Sequence, residues 1–282
     1  MPMFCRHNRL TVNCPICSRE LQPDRKPASS SRSSAPRSSS GSRGGTATRR
    51  SGVVTKKLAR AADDGYRNAL VPGLRATADA ERLAAALTVA TARLEPPGQF
   101  PEVAQEPDLE EATWLAFLLA LESDERPTWA SGEVPAGHAR TGEAYRAWAE
   151  RAGSQAQAFQ GDPTWTPQRR FSRVFERLAL PGFPRAARFE LLTGLGAAGR
   201  YELEAGELWL AAGEDATTDA AKRLLVSGDK LLLERRARDL ADAAEVPHGT
   251  LDRAFALWGT PGEHADLAAE APAPIRAALA LR

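Results

Sequence analysis

Apolar residues between positions 53 and 282 recur every three to four places, which is the period of an amphipathic α-helix. This segment is rich in Ala and Leu and contains few runs of β-branched residues, and neither a pair of strands nor an internal repeat stands out in it. We therefore predict an all-α body with Pro-rich loops at 96–107 and 127–137. The predicted helices span residues 55–70, 78–94, 108–122, 142–158, 167–179, 184–197, 217–227, 229–244, 247–258 and 272–281.

One of these helices is expected to lie at the centre of the fold. Asp108 is a residue type that favours the N-cap position, and the sequence LEEATWLAFLLAL after it is apolar on every side beyond Glu111. A helix without a polar face is usually buried all round.

The N-terminal part of the chain differs from the body in composition. Zinc takes four thiolate or imidazole ligands, and the spacing C-x-H-x6-C-x2-C predicts a structural zinc site made by Cys5, His7, Cys14 and Cys17. The alternatives are a redox-active Cys-x-x-Cys pair, although no βαβ pattern surrounds it, and unconnected residues of a tail. Residues 27–52 consist mainly of Ser, Gly, Arg and Pro, which is typical of a flexible tether. The predicted domains are residues 1–20 (zinc-binding segment), 21–54 (linker) and 55–282 (helical domain).

The charge of the chain is unevenly distributed. Residues 1–60 carry 13 basic and two acidic residues (+11), and the remainder carries 24 basic and 34 acidic residues (−10). A basic arm of this kind indicates a polyanionic partner such as nucleic acid, and the alternative is a solvated linker that is rich in arginine.

Several classes of protein are not expected. No run of 18 apolar residues and no apolar signal core occur, so neither a transmembrane helix nor secretion by that route is predicted. Three cysteines, all before residue 18, do not make a disulfide scaffold. We expect a cytoplasmic, monomeric protein.

A tight turn between two helices is the most informative motif of the body. A helix is expected to end at Leu180, the residues Pro181-Gly182-Phe183-Pro184 form the turn, and a second helix starts near Arg185. Backbone N–H groups of such a turn and of the next helix can bind a phosphate. The predicted DNA-binding residues are Gly182, Phe183, Arg185 and Arg188, together with Lys222 and Arg223 of a later helix. The alternative for the turn is an ordinary pair of antiparallel helices.

From Leu180 onward the sequence resembles the helix-hairpin-helix DNA glycosylases, the superfamily of the adenine-mismatch glycosylase. In that superfamily a Leu-Pro-Gly hairpin and a helix precede a catalytic Asp, which caps a further helix with basic residues, and a helix ending in apolar-Trp/His-Gly follows. The corresponding segments here are LPGFPRAARFELL, GEDATTDAAKRLL and LDRAFALWG. Roughly residues 60–260 are also similar to the bacterial and phage group named alpha-glutamyl/putrescinyl thymine pyrophosphorylases, which is associated with hypermodified phage bases.

The resemblance implies an antiviral, two-lobed glycosylase-like body that flips a hypermodified base out of double-stranded phage DNA and excises it. Glucosylated hydroxymethylcytosine is the expected base, and no cofactor is expected for catalysis. Two alternatives remain, which are a non-catalytic module that binds modified DNA and a phage-type enzyme that processes pyrophosphorylated thymine derivatives.

This sequence departs from the family pattern at two positions of the hairpin. Pro184 replaces the second glycine, which removes one backbone donor, and Ala186 stands where bifunctional members carry a nucleophilic Lys. A Schiff base requires a primary amine, which arginine cannot supply in place of lysine. We therefore predict base excision without efficient strand cleavage.

A carboxylate and a base-binding pocket complete the predicted site. Alignment of the basic pair Lys222 and Arg223 makes Asp215 the first catalytic candidate and Asp219 the second, with Asp229 a third that could simply cap a helix. The residues expected to line the pocket for a flipped base are Tyr145, Gln155, Phe159 and Trp165, each of which could instead be a core residue.

Overall fold

A computed structural model describes residues 61–210, 215–260 and 270–282, all within the compact unit Val54–Arg282. These residues form helices, turns and loops and contain no β-strand, so the all-α prediction is confirmed for them. The predicted zinc segment and linker lie outside the described residues, and their boundaries stay predictions.

The helices follow one another along the chain with short connections. One turn of 3-10 helix, Ala136–His138, precedes the fourth α-helix. The α-helices are Thr77–Leu94 (α1), Pro101–Gln105 (α2), Leu109–Ala120 (α3), Ala139–Ala152 (α4), Gln155–Gln160 (α5), Pro167–Arg177 (α6), Arg185–Ala197 (α7), Ala216–Leu225 (α8), Lys230–Ala244 (α9), Thr250–Gly259 (α10) and Ala273–Ala278 (α11).

The helix predicted for residues 55–70 is wrong over its described half, since residues 61–70 form no helix. Two adjacent aspartates explain the difference. The Asp63 carboxylate accepts a hydrogen bond from the Gly65 amide at 2.9 Å, and the Asp64 carboxylate accepts one from the Tyr66 amide at 3.0 Å. These local bonds give the backbone an alternative to helical hydrogen bonding.

Two further boundaries differ from the prediction. The single helix expected over residues 142–158 is two helices, because Gly153 ends α4 with a φ of +97° and the Ser154 side chain caps α5. The segment 96–107, expected to be a loop, contains the short helix α2, which begins at Pro101. Proline is favoured at the first position of a helix because its missing N–H would have no helical partner there.

The helices fall into two groups that share one hydrophobic core. One group contains α1 and α8–α11, and its most extensive contact is between α1 and α10. The indole of Trp258 in α10 donates a hydrogen bond to the carbonyl of Asp79 in α1, 179 positions earlier, at 3.2 Å. The other group contains α2–α7, in which α3 packs mainly against α7. Helix α7 also contacts α1, so it lies where the two groups meet.

Helix α3 is buried, as predicted, and it organises the aromatic core of its group. Asp108 caps it by accepting hydrogen bonds from the two amides at its start. Phe117 stacks on Tyr145 of α4 with ring centroids 4.0 Å apart, and its ring also meets that of Phe183 at 5.2 Å. Such ring pairs add to the stabilisation from burial alone. None of the helices in the described ranges is long and apolar enough to cross a membrane.

Candidate functional site

The turn between α6 and α7, residues 181–184, is fixed by packing on one side and exposed on the other. Phe183 is buried against α3, and its amide donates to the Leu180 carbonyl at 3.1 Å. Gly182 is exposed with a φ of +77°, and a Cβ at this position would clash with the Thr141 hydroxyl. Both the conformation and the close approach therefore require glycine here. Of the two hairpin residues predicted to bind DNA, only Gly182 reaches the surface.

Arg185, the first residue of α7, binds two carboxylates at once. Its Nε donates to Asp215 Oδ2 at 2.6 Å and its Nη2 donates to Asp252 Oδ1 at 2.6 Å. Its Nη1 donates to the Leu208 carbonyl at 2.8 Å. The Arg185 side chain is 1% exposed, against 22% for Asp215 and 11% for Asp252. The prediction that Arg185 contacts a DNA phosphate is therefore corrected, because its guanidinium is already engaged inside the protein.

Arg188 is also an internal residue rather than a DNA contact. Its guanidinium lies over the ring of Phe175 at 4.4 Å and donates to the Phe175 carbonyl at 3.2 Å. Burial lowers the pKa of this guanidinium, and the neighbouring charge of Arg185 lowers it further. Lys222 and Arg223, the other two basic residues that were predicted to bind DNA, are exposed on α8.

The two carboxylates that share Arg185 have opposite pKa shifts. Burial raises the pKa of Asp252 to about 6, against the opposing effect of the guanidinium. Burial also acts to raise the pKa of Asp215, but Arg185 and the Thr218 amide outweigh it, and the pKa lies below its usual value. When two like charges share one counter-ion, the more exposed group keeps its charge more easily. Asp215 is thus the more stably ionised of the pair.

Of the three aspartates considered from the sequence, only Asp215 belongs to this cluster. Its Oδ1 accepts from the Thr218 amide at 2.8 Å and so caps α8. Asp219 is exposed in the first turn of the same helix. Asp229 caps α9 by accepting from the Leu232 amide at 2.9 Å, which is the role that the alternative reading gave it.

A groove lies along the exposed side of α7, and we call it the α7 groove. It consists of two depressions, both lined by Ala186 and Glu190. The smaller, of about 60 Å³, lies between α1, α7 and α10 and includes Asp252 and Arg253. The larger, of about 330 Å³, lies between α7 and the C-terminal end of α3 and includes Glu122, His138 and Gly182.

Three of the four residues predicted to bind a flipped base lie in the core instead. Tyr145, Gln155 and Phe159 are each 0% exposed. The Tyr145 hydroxyl donates to Gln155 Oε1 at 2.8 Å, and Gln155 Nε2 donates to the Glu110 carbonyl at 2.8 Å. Their polar atoms are thus satisfied internally, which is what a core position requires. Trp165 is partly exposed, and the Arg177 guanidinium lies over its ring at 5.4 Å.

Sequence reasoning missed three acidic residues that line the α7 groove or contact the backbone next to the Arg185 cluster. Asp252 and Glu190 line the groove. Glu234 of α9 accepts from the Leu208 and Leu210 amides at 2.9 and 3.0 Å and so holds the segment whose Leu208 carbonyl binds Arg185. The sequence feature that could have identified Asp252 is an acid within an otherwise apolar helical pattern, LDRAFALWG. Such a pattern does not reveal which residues the acid contacts.

The predicted zinc ligands Cys5, His7, Cys14 and Cys17 lie outside the described residues. Among the residues that the structure does describe, no group of three or more His, Cys, Asp or Glu side chains is arranged to hold a metal ion. Comparison with protein-family models, with curated proteins and with solved structures finds no match, so the function has to be argued from this chain's own residues.

Proposed function

We propose that this protein is a monofunctional, antiviral DNA glycosylase that excises hypermodified bases from phage DNA. The expected base is glucosylated hydroxymethylcytosine. The observation that carries the proposal is the 2.6 Å contact between Asp215 and Arg185, the first residue after the Pro-Gly turn. In the glycosylases that the sequence resembles, the hairpin and the catalytic Asp work at one site. In this chain the corresponding residues are in direct contact although 30 positions separate them.

The electrostatics of the cluster suit the breaking of an N-glycosidic bond. Positive charge builds on the sugar as the base leaves, and a fixed carboxylate nearby stabilises it. Two carboxylates and one guanidinium leave a net negative charge when both acids are ionised. Asp215 stays ionised and is the most exposed of the three side chains. It is therefore our candidate for the group that stabilises the transition state.

The α7 groove adjoins this cluster through Asp252, which lines its smaller depression, and it offers space for an extruded base. Its larger depression, about 330 Å³, falls within the range of about 300–1,000 Å³ that is typical of small-molecule sites. Ala186 lines both depressions and brings no amine to them. This supports hydrolysis to an abasic site over strand cleavage through a Schiff base. Exposed Lys222 and Arg223, with the basic N-terminal arm, would supply phosphate contacts.

The test is base release from DNA by the purified full-length protein. Phage DNA with glucosylated hydroxymethylcytosine and the same DNA without the modification are incubated with the protein. Free base is then measured by mass spectrometry and abasic sites by alkaline cleavage. Asp215→Asn should lower release by about 10²–10³-fold, as expected for loss of a group that stabilises transition-state charge. Asp229→Asn is the matched control, because it makes the same change at a helix cap without an arginine partner.

Each other outcome contradicts the proposal in its own way. Binding of modified DNA without base release would favour a non-catalytic module, and release of pyrophosphate from a small-molecule donor would favour a nucleotide-processing enzyme. Equal release by wild type and Asp215→Asn would remove Asp215 from the mechanism, and a matching loss in Asp219→Asn would assign the role to Asp219.

A further inference from the structure

Glu190 lies at the middle of the α7 groove. It follows Ala186 by one helical turn, so both side chains are on the same face of α7. Both residues line the smaller depression on one side and the larger depression on the other. Glu190 therefore borders both of the spaces in which a group could bind.

The surroundings of Glu190 favour its protonated form. Burial raises the pKa of its carboxyl above the usual value. Glu122, after α3, and Asp252, on α10, act in the same direction, whereas Arg253 of α10 and Arg93 of α1 act against it. His138 lies in the same larger depression. The net result is a carboxyl that keeps its proton to a higher pH than an exposed glutamate does.

We propose that Glu190 is the general acid of the reaction, the group that protonates the departing base; this inference rests on the glycosylase function proposed above. In the step, the oxygen of a water molecule forms a bond to the sugar carbon C1′. The bond from C1′ to the base nitrogen breaks, and its electron pair stays on the base. Glu190 transfers its proton to the base, and the proton lost by the water returns to Glu190 through solvent.

The acids take different roles in the proposed reaction because their hydrogen-bond partners differ. Asp215 and Asp252 both accept hydrogen bonds from Arg185 at 2.6 Å, which ties them to a cation. Glu190 lines the groove on α7, one helical turn after Ala186, the residue that stands where bifunctional family members carry a lysine. Two acids in different environments can take different roles, one charged and one a proton donor.

The experiment compares base release by wild type, Glu190→Gln and Asp215→Asn from pH 5 to pH 9. Glu190→Gln should lower release at pH 7 by about 10²–10⁴-fold, which is the usual size of a general-acid contribution. Its deficit should shrink as the pH falls, because hydronium then protonates the base in place of Glu190. Asp215→Asn should be impaired to a similar degree at every pH, since no proton restores its charge. Glu143→Gln, an exposed glutamate of α4 outside the groove, is the matched control and should behave as wild type.

Circular dichroism and affinity for the modified DNA establish that Glu190→Gln is folded. If Glu190→Gln is not folded, Glu190→Asp replaces it in the experiment. Base release by Glu190→Asp should still fall at high pH, because the aspartic acid then loses its proton. Two results would overturn the role of Glu190 and leave the proposed function standing. In both, the wild type releases base, and Glu190→Gln either releases it equally well or has a deficit that does not change with pH. No base release by the wild type would overturn the proposed function and this inference together.

Discussion

Replacing Arg185 by methionine should destabilise the protein severely, because the change leaves buried carboxylates without their counter-ion. Arg185 makes two charge-assisted hydrogen bonds of 2.6 Å and one of 2.8 Å to a carbonyl. Removal of one partner from a buried ion pair typically costs about 3–5 kcal/mol of the free energy of unfolding. In a domain of this size that loss corresponds to a fall in Tm of about 6–20 °C.

The destabilisation should depend on pH in a defined direction. In the wild type the pKa of Asp252 is raised from 3.8 to about 6, so between these values the folded state holds a proton that the unfolded chain has lost. The contribution of this carboxyl to stability is therefore fully present below pH 3.8 and is lost as the pH rises through about 6. Without Arg185 the pKa of Asp252 rises further. The cost of Arg185→Met should accordingly be smaller at pH 5 than at pH 7.5.

Urea unfolding followed by circular dichroism at the two pH values measures these effects, with the double variant Arg185→Met/Asp252→Asn completing a thermodynamic cycle. The double variant should recover about 0.5–3 kcal/mol relative to additivity, which is the range for residues in direct contact. Arg140→Met, at an exposed position of α4, should stay within about 0.5 kcal/mol of wild type. Additive free energies in the cycle, or an equal cost at both pH values, would refute the shared-counter-ion account.

Three further predictions follow from single residues. Ala186→Lys should place a primary amine in the α7 groove and yield a covalent complex with abasic DNA that borohydride traps on a denaturing gel; absence of the complex would show that the groove does not admit the sugar. Gly182→Ala should lower the free energy of unfolding by about 1–2 kcal/mol, because of its positive φ and the clash with Thr141, and an unchanged urea midpoint would contradict this. Glu234→Gln should speed hydrogen exchange of the two backbone amides that it binds at 2.9 and 3.0 Å, since a neutral amide is a weaker acceptor; unaltered protection of those amides would mean that the carboxylate does not hold this segment.

The helices were largely predictable because their signals are local. Asp108 marks the start of α3, and its carboxylate does accept the expected amide hydrogen bonds. Pro181 and Gly182 mark the turn before α7 in the same way. Helix α2 was not predictable from periodicity, since its five residues are too few to show a repeat.

The interior of the site was not predictable, because it depends on contacts between distant parts of the chain. Arg185 directly follows the turn, which makes it look like a phosphate ligand, yet its two carboxylate partners lie 30 and 67 positions away. Tyr145 and Gln155 likewise carry the polar groups of a recognition pocket, but a hydrogen bond between them satisfies those groups within the core. Whether a side chain points inward or outward depends on the packing of the whole domain, which residue type alone does not reveal.

The pairing of α1 with α10 has a consequence for biosynthesis. The apolar face of α1 leaves the ribosome long before its partner, because Trp258 is translated 179 positions after Asp79. At typical rates of chain elongation this delay is roughly 10–35 s. During that interval the face of α1 that packs on α10 stays uncovered, whereas α2–α7 can already pack together. Chaperone protection of a half-made chain would therefore be needed at α1, whose main partner α10 is made only after α2–α9.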